Sequence, residues 1–208
     1  MAANPPFELH PHFAIEELRD QFTRQGWTQL HPFLREDHAL RLRDHLLERD
    51  DWVRSFRVDR ALPVRLDKAA WAALGRNQRD AIYQLVAPAQ DRGFRYLFDE
   101  ITAVGDDFEE HEPSTLLGEF ARFLSSESVL DLVRQITGIG AISRADARAT
   151  RYGPGQFLTR HNDDVEGKHR RAAYVFGLTP TWRPEWGGLL LFHDEREDIL
   201  WLCERLRS

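Results

Sequence analysis

Residues 151–163 read Arg151-Tyr152-Gly153-Pro154-Gly155-Gln156-Phe157-Leu158-Thr159-Arg160-His161-Asn162-Asp163, the most informative stretch of the chain. A tyrosine leads into a glycine-rich turn, the turn into a short strand-like run, and that run ends on His161 and Asp163, two apart. On a strand, or at its end, residues i and i+2 point to the same side, so an imidazole and a carboxylate can meet one small ion. A bare His-x-Asp also arises by chance, and its weight comes from its surroundings. Asp164 competes for the same ion, but only Asp163 has the i+2 relation. Alternation turns Arg160 away from His161, toward an outward salt bridge rather than a ligand carboxylate.

The C-terminal part has the texture of strands punctuated by glycine and proline. Segments 145–152, 156–161, 172–178 and 188–192 are the candidate strands, with 179–187 as a connection. Gly187 and Gly188 are expected to let the backbone turn tightly into the last of them. The N-terminal part reads as helical, because apolar residues recur at helical spacing. Ile15, Leu18 and Phe22 share a face, and Gly26 stands where that helix would end. Ala39, Leu42, Leu46 and Leu47 form the apolar side of a second helix, entered through Pro32-Phe33-Leu34. Runs at 68–87 and 114–137 repeat the pattern, with Gly138 and Gly140 closing the latter and the acidic stretch 106–112 between them as a solvated loop. Helices followed by clustered strands predict an α+β layout in which helices brace a sheet or barrel. No linker divides the chain, so the expectation is one domain: a mainly helical part to residue 140, strands over 141–194 and an atypical tail at 195–208.

Composition narrows the function classes. A chain of 208 residues with 42% hydrophobic content can bury one substantial core. Its net charge of −6 offers no overall attraction to nucleic acid and weakly favours a basic substrate. Cys203 is the one cysteine, which excludes an intrachain disulfide and a cysteine zinc site and fits a reducing compartment. No basic leader precedes an apolar run at the N-terminus, and no segment has the roughly 20 apolar residues of a membrane helix. The expectation is a soluble, cytoplasmic protein.

Around the motif the sequence resembles the prolyl 4-hydroxylase group of the 2-oxoglutarate oxygenases. After His-x-Asp come the basic pair Arg170-Arg171, the aromatic run Tyr174-Val175-Phe176-Gly177-Leu178-Thr179, Trp182, and Trp186-Gly187-Gly188-Leu189-Leu190-Leu191-Phe192, in the family's order and spacing. The resemblance covers about residues 145–194. It implies a double-stranded β-helix, or jelly roll, with Fe(II) held by His161 and Asp163 as two members of a facial triad. It implies 2-oxoglutarate as cosubstrate, with ascorbate as a further reductant, and a peptide, protein or amino-acid substrate. Tyr152 matches a tyrosine that approaches the pocket, and Tyr174 and Phe176 match a strand lining the cosubstrate site; all three also read as plain core aromatics. The implied reaction hydroxylates a prolyl or other amino-acid side chain while 2-oxoglutarate is decarboxylated to succinate.

The family also has a second histidine several strands later, and a basic residue about ten positions beyond it that pairs with the distal carboxylate of 2-oxoglutarate. Neither can be placed here. Residues 195–208 read instead as a short amphipathic helix. A truncated or frame-shifted product and a shortened paralogue are both open, the former favoured. His193 and His169 are the nearest substitutes, and His193 reads rather as a rim residue. Weak iron binding, little turnover, and exposed edges prone to aggregation or dimerisation are therefore expected. The competing reading is a non-catalytic jelly-roll domain for binding or oligomerisation with a remnant metal site. A cupin-like protein is disfavoured, because cupins group several histidines in one short motif.

Overall fold

The computed structural model describes residues 7–58, 61–87, 93–105, 107–163, 169–193 and 199–203. In chain order its elements are α1 Ile15–Gln25, α2 Glu36–Glu48, β1 Val53–Val58, β2 Val64–Leu66, α3 Lys68–Ala73, α4 Arg76–Val86, β3 Arg95–Val104, α5 Leu116–Leu124, α6 Glu127–Thr137, β4 Ala147–Arg151, β5 Phe157–Leu158, β6 Leu190–His193 and β7 Ile199–Cys203. Asp106, Asp164 and the tail residues 194–198 and 204–208 lie outside the described residues.

The ten-residue β3 organises the sheet. The strand order is β2-β1-β3-β4, with β5 also on β3 and every pair antiparallel. One edge of β3 is taken by β1, so β4 and β5 follow one another along the other edge. The side chains of β3 alternate between two environments, as strand geometry requires. Leu97, Ile101 and Ala103 face the helices, where Ile101 and Ala103 join α2, α5 and α6 in the main core and Leu97 meets Phe56 and Val86 in a smaller one. Full burial of a side chain such as Leu42 or Leu97 contributes about 1.5–3 kcal/mol. Tyr96, Phe98 and Glu100 point to the opposite face.

The N-terminal part carries helices α1 to α6 and also three strands that helical spacing does not announce: β1, β2 and β3 come from it, and β3 is the centre of the sheet. The long run at 68–87 breaks at Gly75, whose N–H is capped by the Gln78 side chain at 2.8 Å, giving α3 and α4. The run at 114–137 breaks at Ser125 and Ser126, giving α5 and α6. Gly26 and Gly138 close α1 and α6 in the left-handed conformation, as their positions predict. Leu47 departs from the expected apolar side of α2 at 72% exposure, while Ala39 and Leu42 are buried. The acidic stretch is more than a solvated loop, because Glu112 holds Arg49 through both carboxylate oxygens at 2.8 and 2.9 Å.

Two expectations in the C-terminal part are corrected. Residues 172–178 make no ladder among the described residues; Phe176 and Leu178 instead pack on the helical core. The tail is not an amphipathic helix over 199–203 but strand β7, antiparallel to β6. Gly187 and Gly188, at φ +72° and +63°, make the tight turn into β6. The β6–β7 ribbon is tied to the end of α1 by the stacking of Phe192 on Trp27 at 5.0 Å.

Candidate metal centre

Strands β4 and β5 are one strand interrupted by the glycine-rich turn. Arg151 faces Asp99 and Phe157 faces Leu97, so six steps along the chain advance only two positions on β3. The surplus residues loop out around Pro154 and Gly155, and Gly155 takes the φ of +76° that the turn needs. The turn is held by the Gly153 N–H donating to Gln156 Oε1 at 2.5 Å and the Gln156 N–H donating to the Gly153 carbonyl at 3.0 Å. The chain then rejoins β3 and delivers His161 and Asp163 just beyond the strand end.

Those two side chains converge. His161 Nε2 lies 3.4 Å from Asp163 Oδ1. Two ligand atoms at right angles on one ion, with bonds of about 2.1 Å, stand about 3 Å apart, so the pair fits a shared metal after a shift of a few tenths of an ångström. The other ring nitrogen, Nδ1, lies 3.0 Å from the Thr159 carbonyl. A carbonyl can only accept, so Nδ1 carries a proton and the neutral ring presents its lone pair at Nε2, toward Asp163. Histidine and carboxylate together are a donor set suited to Fe(II).

The electrostatics agree with this closeness. The hydrogen bond with Asp163 raises the His161 pKa above its ordinary value, with the Thr159 carbonyl adding to it and burial opposing it. The same hydrogen bond from His161 holds the Asp163 carboxyl below the usual range against burial, helped by the charges of His161 and Arg170. A proton and a cation therefore compete for Nε2 of His161. Among the described residues, no third His, Cys, Asp or Glu joins the two in a group able to hold an ion. His193 ends β6 opposite Ile199, and His169 sits at a left-handed φ of 51°.

An aromatic row runs from His161 along β3. The imidazole lies 5.4 Å from the Phe94 ring, Phe94 5.7 Å from Tyr96, Tyr96 4.6 Å from Phe98, and Phe98 5.7 Å from Tyr152. Tyr152 thus shares the face of His161 but sits at the far end of the row, about 13 Å along the strand from Phe94. Tyr174 and Phe176 go elsewhere. The Tyr174 hydroxyl donates to the Asp146 carbonyl, and Phe176 packs on Phe33 at 4.7 Å and Phe120 at 5.2 Å. Phe176 also meets the Tyr174 ring edge-on at 5.2 Å.

Reading the sequence alone misses the charges buried in β3. Asp99 accepts from Arg54 Nε at 2.8 Å, Arg151 at 3.0 Å and Gln156 Nε2 at 3.2 Å. Arg54 and Arg151 in turn stack on Trp71 and Trp52, at 4.4 and 4.5 Å. Burial pushes the Asp99 carboxyl up, but the two arginines outweigh it and hold it below the usual range. On the other face Glu100, 2% exposed, lies between Arg65 at 2.7 Å and Arg148 at 3.1 Å. The signal for both was the pair Asp99-Glu100 inside a mostly apolar run, which by itself does not separate a buried, paired strand from a solvated one.

Residues 147–202 match the family model of the 2OG-Fe(II) oxygenase superfamily. The matched segment begins with β4, contains His161 and Asp163, and ends within β7. No curated protein and no solved structure matches the chain. The match supports membership of that superfamily, whose members in general work with Fe(II) and 2-oxoglutarate. Among the described residues, no helix is long and apolar enough to cross a membrane.

Proposed function

We propose that this chain is an Fe(II)- and 2-oxoglutarate-dependent oxygenase of the prolyl hydroxylase type, acting on a prolyl or other amino-acid side chain in a peptide, protein or free amino acid. The observation that carries the reading is the convergence of His161 Nε2 and Asp163 Oδ1 at 3.4 Å, inside the segment that matches the superfamily. A jelly-roll arrangement is part of the proposal and is supported by the antiparallel sheet whose β4 and β5 carry the motif. With dioxygen as the oxidant and 2-oxoglutarate as the co-oxidised substrate, a bound iron would supply the redox chemistry of hydroxylation. The chain's own part is to hold the metal with His161 and Asp163 and to wall the site with Phe94, Tyr96 and Phe98, of which Tyr96 and Phe98 are buried. We place the protein in a reducing, cytoplasmic setting on its single Cys203.

With two protein ligands among the described residues, further metal positions fall to water, so we propose weak Fe(II) binding and low coupled turnover. The assay is succinate formation from 2-oxoglutarate with Fe(II) and ascorbate. A low rate that falls to background in His161→Ala is expected; equal rates in both proteins would refute the proposal. The ligand pair without a third member among the described residues favours a second reading, a non-catalytic binding or oligomerisation domain. Strands β6 and β7, which pair only with each other among the described residues, would supply edges for a homodimer. Dimerisation with no cosubstrate turnover is the outcome that selects it.

A further inference from the structure

In an antiparallel ladder, residues facing each other in a hydrogen-bonded pair exchange two backbone bonds. Leu158 faces Tyr96 and Phe157 faces Leu97, so Thr159 and Arg95 are the next pair along. One of their two bonds is regular: the Thr159 N–H donates to the Arg95 carbonyl at 3.0 Å. The return bond is not. The Arg95 N–H donates to the side-chain hydroxyl, Thr159 Oγ1, at 2.9 Å. That hydroxyl has its own proton and lies 3.0 Å from the Arg95 carbonyl, so it both accepts from and donates to the same residue. The Thr159 carbonyl, left out of the ladder, takes the His161 Nδ1–H at 3.0 Å.

We propose that Thr159 is the positioning residue of His161: its hydroxyl replaces its own backbone carbonyl in the β3–β5 ladder, releasing that carbonyl to hold the imidazole in the tautomer that presents Nε2 to a metal. The proposal rests on the metal-site reading above and deepens it. The hydroxyl is needed because β5 pairs over only two residues, Phe157 and Leu158, and the ladder is ending where the ligand begins. Without it, the Arg95 N–H recaptures the nearest acceptor, the Thr159 carbonyl, since a donor left without a partner is costly. Turned into the ladder toward Arg95, that carbonyl no longer points at the ring, which then loses both its partner and its fixed tautomer. Valine would keep the shape of the side chain and lose the swap; serine would keep the swap.

The experiment reads His161 in two independent ways in the wild type, Thr159→Val, Thr159→Ala and Thr159→Ser. The first is the pair of imidazole ¹⁵N shifts in the metal-free protein at alkaline pH, which report the tautomer. The second is Co(II) affinity by calorimetry, with His161→Ala as reference. The alanine variant guards against misfolding from the added methyl, and circular dichroism checks each protein. Thr159→Val and Thr159→Ala are expected to mix the two tautomers and lose about tenfold in Co(II) affinity, while Thr159→Ser keeps both. An unchanged tautomer in the valine and alanine variants overturns the proposal, as does a serine variant that behaves like them. Failure of the metal site looks different. The wild type then binds Co(II) no better than His161→Ala, while the metal-free tautomer comparison still decides the role of Thr159.

Discussion

Replacing Asp99 with asparagine keeps the size of the side chain and removes its charge from between two guanidinium groups. The carboxylate is 10% exposed and accepts from Arg54 at 2.8 and 3.2 Å, from Arg151 at 3.0 Å and from Gln156 at 3.2 Å. Breaking a buried pair by removing one partner typically costs 3–5 kcal/mol. Arg151 is half exposed and can rehydrate, whereas Arg54 is enclosed, so a loss of about 3 kcal/mol is expected, at the low end of that range. Urea unfolding at neutral pH measures it directly. The pH dependence gives a second reading, because the folded-state carboxyl lies below its unfolded value of about 3.9. Its contribution is fully present above that value and is lost as pH falls through the folded pKa. The gap between wild type and Asp99→Asn should therefore be constant from pH 5 to 8 and narrow below about pH 4. A loss under about 1 kcal/mol, or a gap that does not close in acid, would refute the assignment of Asp99 as the anchor of this network.

Gly118 can bear no side chain: a Cβ there would lie 1.7 Å from the Glu112 carbonyl, so Gly118→Ala should cost about 1–3 kcal/mol or more by thermal unfolding. Leu97→Ala, at a position with no exposure, should cost about 2–5 kcal/mol, while Leu47→Ala should stay within about 0.5 kcal/mol. Phe176→Ala is expected to destabilise by about 3 kcal/mol, because its ring fills the space between Phe33 and Phe120. Should the chain turn over 2-oxoglutarate robustly, a third ligand exists, and His193→Ala followed by His169→Ala should identify it by abolishing succinate formation.

How much of this was legible depended on whether the deciding partner lay nearby in sequence. Helix α1 and the end of α6 could be read because their signals are local: apolar residues one turn apart and a glycine where the backbone turns left-handed. The spacing of His161 and Asp163 pointed to a common side, and the two side chains do meet at 3.4 Å, although they lie beyond the end of β5, where alternation alone does not fix them. Strand β3 was not legible. Its apolar residues serve both faces, and its central Asp99 and Glu100 look solvated until Arg54, Arg65, Arg148 and Arg151 arrive from three other strands. The breaks at Gly75 and at Ser125–Ser126 were hidden by apolar spacing that continues through them. Strand β7 was hidden because Ile199–Cys203 sits within a charged stretch that suits a helix, and only its pairing with β6 decides otherwise. Thr159 carried no signal at all, because its part depends on which of its two oxygens Arg95 chooses.

In the proposed function His161 and Asp163 together hold one Fe(II). Anaerobic calorimetric titration of Fe(II) into the metal-free protein, with and without 2-oxoglutarate, tests it most directly when run beside His161→Ala and Asp163→Ala. One weak site per chain is expected, removed by either substitution while the thermal unfolding of the metal-free protein stays nearly unchanged. Fe(II) bound equally well by both variants and by the wild type would contradict it.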